Sequence, residues 1–179
     1  LIARNPKVAF LYNLMGLILS GQKKITQAVE FYENGLKIDP NFAMIYNNLG
    51  LLFFRHKSNG NVQKAENYYI KSISLNSKIP EPHTNLGSLY RSQNKFQEAI
   101  NCYKRAILIN PKFTYAHHNL GNIFIALGEF SDAIKHFKES IKIDPNFHVS
   151  HRTLSRLIKY TKTNEHFSEL RKIYKSIKS

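Results

Sequence analysis

The amino-acid sequence predicts an all-α fold, a solenoid of antiparallel helix pairs stacked on one another. Three observations predict it: a period that recurs four times, apolar residues at helical spacing inside each period, and no convincing strand-like stretch. Gly16, Gly50, Gly87 and Gly121 stand 34, 37 and 34 residues apart. Ala28, Ala99 and Ala133 follow their glycines by twelve residues, and Ala65 follows Gly50 by fifteen. Four residues beyond each alanine is an aromatic: Tyr32, Tyr69, Tyr103 or Phe137. Pro40, Pro111 and Pro145 come eight residues later, with Ser77 in the corresponding place of the second unit.

The elements follow in order. Residues 1–8 read as the tail of a preceding unit, because Pro6 lies 34 residues before Pro40, and the chain reads as cut from a longer array. The first unit, 9–42, has helices over 8–20 and 25–38. Phe10, Leu14, Leu17 and Ile18 mark the face of the first helix, and Val29, Tyr32 and Leu36 that of the second. The second unit, 43–79, has helices over 42–56 and 61–75. Its three extra residues fall near the turn formers Ser58, Asn59 and Gly60, so a longer turn is expected there. The third unit, 80–113, has helices over 81–93 and 96–109, with Pro82 suited to a first helical turn. The fourth, 114–147, has helices over 114–127 and 130–143. Residues 148–179 read as a divergent or capping hairpin over 148–160 and 165–178. Ser155 replaces the glycine there, Phe167 takes the alanine column, and Lys172, Lys175 and Lys178 suit the helix dipole. A glycine inside a helix costs ~1 kcal/mol against alanine. Its recurrence therefore requires a close approach by the partner helix, with the repeated alanine and aromatic on the other side. Asp39-Pro40, Asn110-Pro111 and Asp144-Pro145 end the second helices, because a residue before proline avoids helical angles.

These columns resemble the tetratricopeptide repeat, whose pattern is W-x2-L-G-x2-Y, then A-x3-F, then P. Tyr12, Tyr46, His83 and His117 occupy the column of the absent Trp; Met15, Leu49, Leu86 and Leu120 precede the glycines. The resemblance covers residues 7–147 and implies a right-handed superhelix whose first helices line a concave groove for partners.

Composition bounds the function. The 179 residues carry 26 Lys plus Arg against 12 Asp plus Glu, a net +14, and residues 135–179 alone hold a net +7. The heavy use of Lys, Ile and Asn suits an AT-rich coding bias, so a solvated basic surface explains the charge more simply than a dedicated polyanion site. The charge still keeps acidic partners open by steering their encounter. The single Cys102 excludes an internal disulfide framework and a cysteine-based zinc site. It reads as a small buried residue rather than a reactive thiol. No apolar run approaches the ~18 residues of a membrane span. No signal peptide is visible either, and the cytoplasm is the expected compartment.

No phosphate-loop, dinucleotide, zinc-protease or nucleophile-elbow motif is present, so no catalytic residue, metal ligand or cofactor is assigned. His83, His117 and His151 share a column. Helices ~8–10 Å apart hold such residues too far apart for one ion, and packing or hydrogen bonding at the repeat junctions is the expected role.

The candidate peptide-binding residues lie on the first helices. Asn48, Asn85 and Asn119 stand two residues before their glycines, with Leu14 and Thr153 breaking the row at its ends. Asn122 and Ser88 follow their glycines, Asn13 and Asn47 precede the row by one, and Arg55 and Arg91 stand one turn on. A carboxamide offers two donors and an acceptor without charge, which suits holding a peptide backbone while ignoring its side chains. The row resembles the asparagine ladder of the tetratricopeptide domain of O-linked N-acetylglucosamine transferase. The chaperone-binding subclass needs a lysine where Asn13 stands, which argues against a chaperone-tail binder. Arg55, Arg91, Arg152 and Arg156 are candidates to pair with acidic partner residues.

The expected function is therefore a non-enzymatic scaffold that binds an extended peptide or partner protein, in an oligomeric state the sequence leaves open. Two alternatives stand beside it. One is the recruitment arm of a glycosyltransferase or sulfotransferase, from the closing stretch His151 to Tyr160. The other is RNA binding, by analogy with pentatricopeptide arrays, against which the 34-residue period and the glycine and alanine columns argue.

Overall fold

A computed structural model of the chain describes residues 6–56 and 61–158 together with positions 169, 172 and 173. The longer turn expected near 57–60 and most of the helix expected over 165–178 lie outside the described residues. Positions 169, 172 and 173 are helical.

Nine helices are described: α1 (Pro6–Gly21), α2 (Ile25–Ile38), α3 (Ala43–Arg55), α4 (Asn61–Leu75), α5 (Pro80–Ser92), α6 (Phe96–Ile109), α7 (Thr114–Ala126), α8 (Phe130–Ile143) and α9 (His148–Leu157). The architecture is all-α, as the sequence predicts. Most boundaries fall within two residues of the expected ones. The helix expected over 148–160 stops early at Leu157, because Ile158 turns extended at φ −113°, ψ 141°.

Each kind of turn has a recurring cause. Within a pair, the chain reverses through one left-handed residue: Lys23 at φ 61°, Asn94 at φ 60° and Gly128 at φ 77°. The amide after it closes the helix end on the carbonyl five residues back, as Lys24 to Leu19 at 2.9 Å, Lys95 to Tyr90 at 3.0 Å and Glu129 to Phe124 at 2.8 Å. This is the Schellman arrangement, in which glycine fits without strain, asparagine is tolerated and lysine costs most.

Between pairs, a carboxylate or carboxamide caps its own turn. Asp39, Asn76, Asn110 and Asp144 each accept the amide two residues on, at 3.0 Å in every case. The side chain before the proline is thus as active as the proline. Asn76 keeps the turn where Ser77 replaces it.

The column of the absent Trp adds a second tie at these junctions. Tyr46 donates its hydroxyl to the Pro40 carbonyl at 3.2 Å. His83, His117 and His151 set Nε2 against the carbonyls of Ser77, Pro111 and Pro145 at 3.3, 3.1 and 2.9 Å. A carbonyl only accepts, so these imidazoles carry the proton on Nε2. The histidine column works at repeat junctions, as expected.

The chain falls into two compact units, Leu1–Cys102 and Tyr103–Ser179, with the division inside α6. In the first unit α1 pairs with α2 and α3 with α4, while α2 also packs on α3 and α4 on α5. Its core gathers Ala28, Tyr32, Ile45, Leu49 and Leu52 in one cluster and Ala65, Tyr69, Leu86 and Leu89 in another, with Cys102 against the second. In the second unit α7 pairs with α8 and α8 packs on α9, around Ala133, Phe137, Ile141 and Leu154. Each fully buried large side chain contributes ~1.5–3 kcal/mol.

The glycine column stands where its helix meets the aromatic of the paired helix. A Cβ at Gly50 would lie 2.7 Å from the Tyr69 ring, and one at Gly121 would lie 2.9 Å from the Phe137 ring. A second small column, Gly35, Ser72, Ala106 and Ser140, serves the next interface. A Cβ at Gly35 would meet Ile45 at 2.6 Å, and Ser72 donates to the Ala43 carbonyl at 2.8 Å.

Candidate functional site

In the first unit, α1, α3 and α5 lie side by side and bring four of the predicted asparagines together. Asn85 Nδ2 donates to Asn47 Oδ1 at 2.8 Å, Asn47 Nδ2 to Asn48 Oδ1 at 3.3 Å, and Asn48 Nδ2 to Asn13 Oδ1 at 2.8 Å. Asn13, Asn47 and Asn48 are 6, 3 and 7% exposed, and Asn85 is half-buried. The amides therefore form one continuous chain across three helices, with every donor pointing from α5 toward α1. Each bond uses one N–H of a two-proton amide. The bonds cross repeats on a diagonal: the residue three before one glycine pairs with the residue two before the next glycine. Buried amides linked in this way fix the spacing of the helices, since breaking one bond strands a polar group.

Other predicted residues of this unit flank the chain. Ser88 Oγ donates to the Thr84 carbonyl at 3.0 Å. Arg55 ends α3 and Arg91 lies in the last turn of α5; both are exposed and make no ion pair among the described residues. Phe10, Leu14 and Leu17 stand on α1 on either side of Asn13, and are 54, 43 and 43% exposed. Cys102, expected to be buried, is half-buried; burial first, then the charge of Glu98, pushes its thiol up to about 11, which disfavours the thiolate.

The second unit has its own polar chain, which the sequence reading missed. Asn122 Nδ2 donates to His118 Nε2 at 2.9 Å. The His118 proton is then on Nδ1 and donates to Ser150 Oγ at 2.8 Å. Ser150 in turn reaches Ser140 Oγ at 2.8 Å. His118, Ser140 and Ser150 are buried, and the chain ties α7, α8 and α9 together. The signal that was available is the small column ending in Ser140. Asn119 is half-buried beside His118 on α7.

A histidine pair lies behind this chain. His117 Nδ1 and His136 Nδ1 approach to 3.4 Å, and His136 stacks on Phe124 with ring centroids 5.4 Å apart. With its proton on Nε2, His117 accepts here. Burial, then His117, Lys135 and Lys104, push the His136 pKa down to about 4 against an opposing pull from Asp132. The unfolded chain takes up this proton near pH 6.5 and the folded chain only near 4. Folding stability should therefore fall as pH drops through that window. Denaturant unfolding at several pH values should show His136→Phe flattening the slope. An unchanged slope would show that other groups dominate it.

Among the described residues no group of His, Cys, Asp and Glu is arranged to hold a metal ion, and no helix is long and apolar enough to cross a membrane.

Residues 16–57 and 87–127 match the family model described as TPR repeat, and residues 114–147 match the one described as Tetratricopeptide repeat, together more than half of the chain. The chain is 32% identical over 93 residues to Photosystem I assembly protein Ycf3 of Rippkaea orientalis, covering 50% of this chain and 52% of that protein. It thus spans about half the length of the curated relatives it matches. Among solved structures, MamA superposes with a TM-score of 0.71 at 24% identity, over 92% of this chain and 97% of that one. The first TPR of Spaghetti (RPAP3), bound to the HSP90 peptide SRMEEVD, superposes with a TM-score of 0.62 at 23% identity, over 69% of this chain and 96% of that one. At these identities the structures speak for the fold alone.

Proposed function

The chain belongs to the tetratricopeptide repeat family and is an interaction scaffold, and we propose that it works without catalysis by holding an extended segment of a partner protein across α1, α3 and α5. The observation that carries this reading is the amide chain Asn85–Asn47–Asn48–Asn13. It spans three parallel helices and sets uncharged amides beneath that face, Asn85 half-buried and the other three buried. Groups that bond amide to amide are also held at fixed spacing, so a partner meets a preorganised row. Asn119, Asn122, Ser88, Arg55 and Arg91 extend the proposed set as contacts on their own helices. The relative named for photosystem I assembly is in keeping with such work. The proposed compartment remains the cytoplasm.

The test is a peptide array probed with the chain and with Asn48→Ala combined with Asn85→Ala. Binding should fall at least tenfold. Because these amides also support the fold, the variant must keep its helical circular dichroism. A second variant, Ser88→Tyr, obstructs the face while leaving the amide chain intact and should also weaken binding. Unchanged binding in both variants would remove this face from consideration.

A further inference from the structure

We propose that the face across α1, α3 and α5 selects peptides carrying a large apolar residue at one end and an acidic residue about five or six positions away, an inference that rests on the binding reading above. The two ends of the amide chain are chemically unlike. At the α1 end, Phe10, Leu14 and Leu17 flank Asn13 along one stripe and leave 54, 43 and 43% of their surface exposed. Residues 8–22 contain no charged side chain, in a chain of net +14.

The exposure of Phe10 and Leu17 differs from that of their neighbours Leu11, Met15 and Ile18. Those occupy the columns of Ile45, Leu49 and Leu52, which are packed to 0, 1 and 2% exposure in α3. They belong to the packing face. Phe10, Leu14 and Leu17 instead share the stripe of the amide chain; their equivalents Met44 and Leu51 stay half-buried in α3, while Asn48, the equivalent of Leu14, is 7% exposed.

At the α5 end the stripe runs from Glu81 in the first turn through Asn85 and Ser88 to Arg91 in the last. Glu81 and Arg91 are ten residues apart, ~15 Å along the helix, so the two charges do not cancel locally. Arg55 ends α3 on the same side of the chain direction as Arg91. Both arginines are exposed and make no ion pair among the described residues. A guanidinium is suited to a bidentate grip on a carboxylate.

The distances set the spacing. Neighbouring helices pack ~8–10 Å apart, so α1 and α5 are ~16–20 Å apart. An extended peptide advances ~3.3 Å per residue and crosses that gap in about five or six residues. Leu51, half-buried on α3, shares the stripe between these two helices.

Selection from a random dodecapeptide display library on the whole chain tests the proposal. Enriched peptides should pair a Leu, Ile, Phe or Met with an Asp or Glu five or six positions off. Arg91→Glu should abolish the acidic preference, cut affinity for those peptides at least tenfold, and remove most of the salt dependence. Leu14→Ser with Leu17→Ser should relax the apolar preference and keep the acidic one. Both substitutions are at exposed positions, so the fold should persist. Binders that need Asn48 and Asn85 but show no such pairing would overturn this inference and leave the face standing. Enrichment of no peptide at all would overturn the face itself. Sedimentation of the unliganded chain as a dimer, dispersed by Leu14→Ser with Leu17→Ser, would show a second copy as the occupant and would also overturn the inference.

Discussion

Gly50→Leu is expected to destabilise the α3–α4 hairpin by more than ~2 kcal/mol. A Cβ at this position would sit 2.7 Å from two carbons of the Tyr69 ring and 3.2 Å from the Ala65 carbonyl oxygen. The ring is fully buried and the carbonyl is backbone, so neither can swing aside. Overpacking a tight contact costs ~1–3 kcal/mol, and leucine adds three more carbons to the first clash. Helix propensity acts the other way, giving ~1 kcal/mol for losing a glycine. Gly50→Ala should therefore come out near zero or as a loss. Gly21 supplies the control: it ends α1 with no atom within 4 Å of a Cβ. Gly21→Ala should be neutral or gain a few tenths of a kcal/mol, since helix ends feel propensity weakly. Urea unfolding gives the free energies. Amide exchange should show protection lost first in α3 and α4, because repeats couple to their neighbours. A Gly50→Leu variant as stable as the parent would mean that the glycine column does not mark the helix contact.

That column was legible because close approach of two helices has few solutions in sequence. A glycine, an alanine and an aromatic at fixed offsets leave little choice, and the helices follow within a residue or two. The turns were only half legible. Proline was visible at the junctions, but the capping of Asp39, Asn110 and Asp144 was not, and Asn76 shows that it works without proline. Lys23 gives no hint of its left-handed backbone, because nothing in a lysine favours φ 61°. The turn is imposed by the helices on either side of it.

The sequence columns do not show how the candidate amides bond to one another. Aligning the chain by column put Asn48, Asn85 and Asn119 in a row, each facing a partner. The structure joins Asn48 to Asn13 and Asn85 to Asn47, across 35 and 38 positions, one more than the repeat spacings of 34 and 37. A column comparison cannot see a diagonal bond. The same blindness hid His118 and Ser150, which are 32 positions apart and tie α7 to α9.

The reciprocal substitution at the other hairpin should be larger still. Phe137 is 0% exposed, and its ring is what a Cβ at Gly121 would meet, at 2.9 Å from two carbons. Phe137→Ala should cost ~3–5 kcal/mol, the range for removing a buried aromatic whose surroundings relax only in part. Gly121→Leu alone should cost ~1–3 kcal/mol by overpacking against the intact ring. The double variant exchanges glycine and phenylalanine for leucine and alanine, which nearly conserves volume, and the leucine points into the space that the ring vacates. The two costs should therefore fail to add, with the double variant at least ~1 kcal/mol more stable than their sum, within the range found for residues in contact. Recovery should stop short of the parent. Phe137 also packs on His118, with ring centroids 5.4 Å apart, and shields the chain from His118 to Ser150. A leucine rooted on α7 does not restore that cover, so water reaching these buried groups keeps part of the loss. Urea midpoints at unchanged m-value give the three free energies. Additivity within ~0.5 kcal/mol would mean that Gly121 and Phe137 do not share one contact, and the reading of glycine and aromatic as two sides of one interface would fail for all the repeats together.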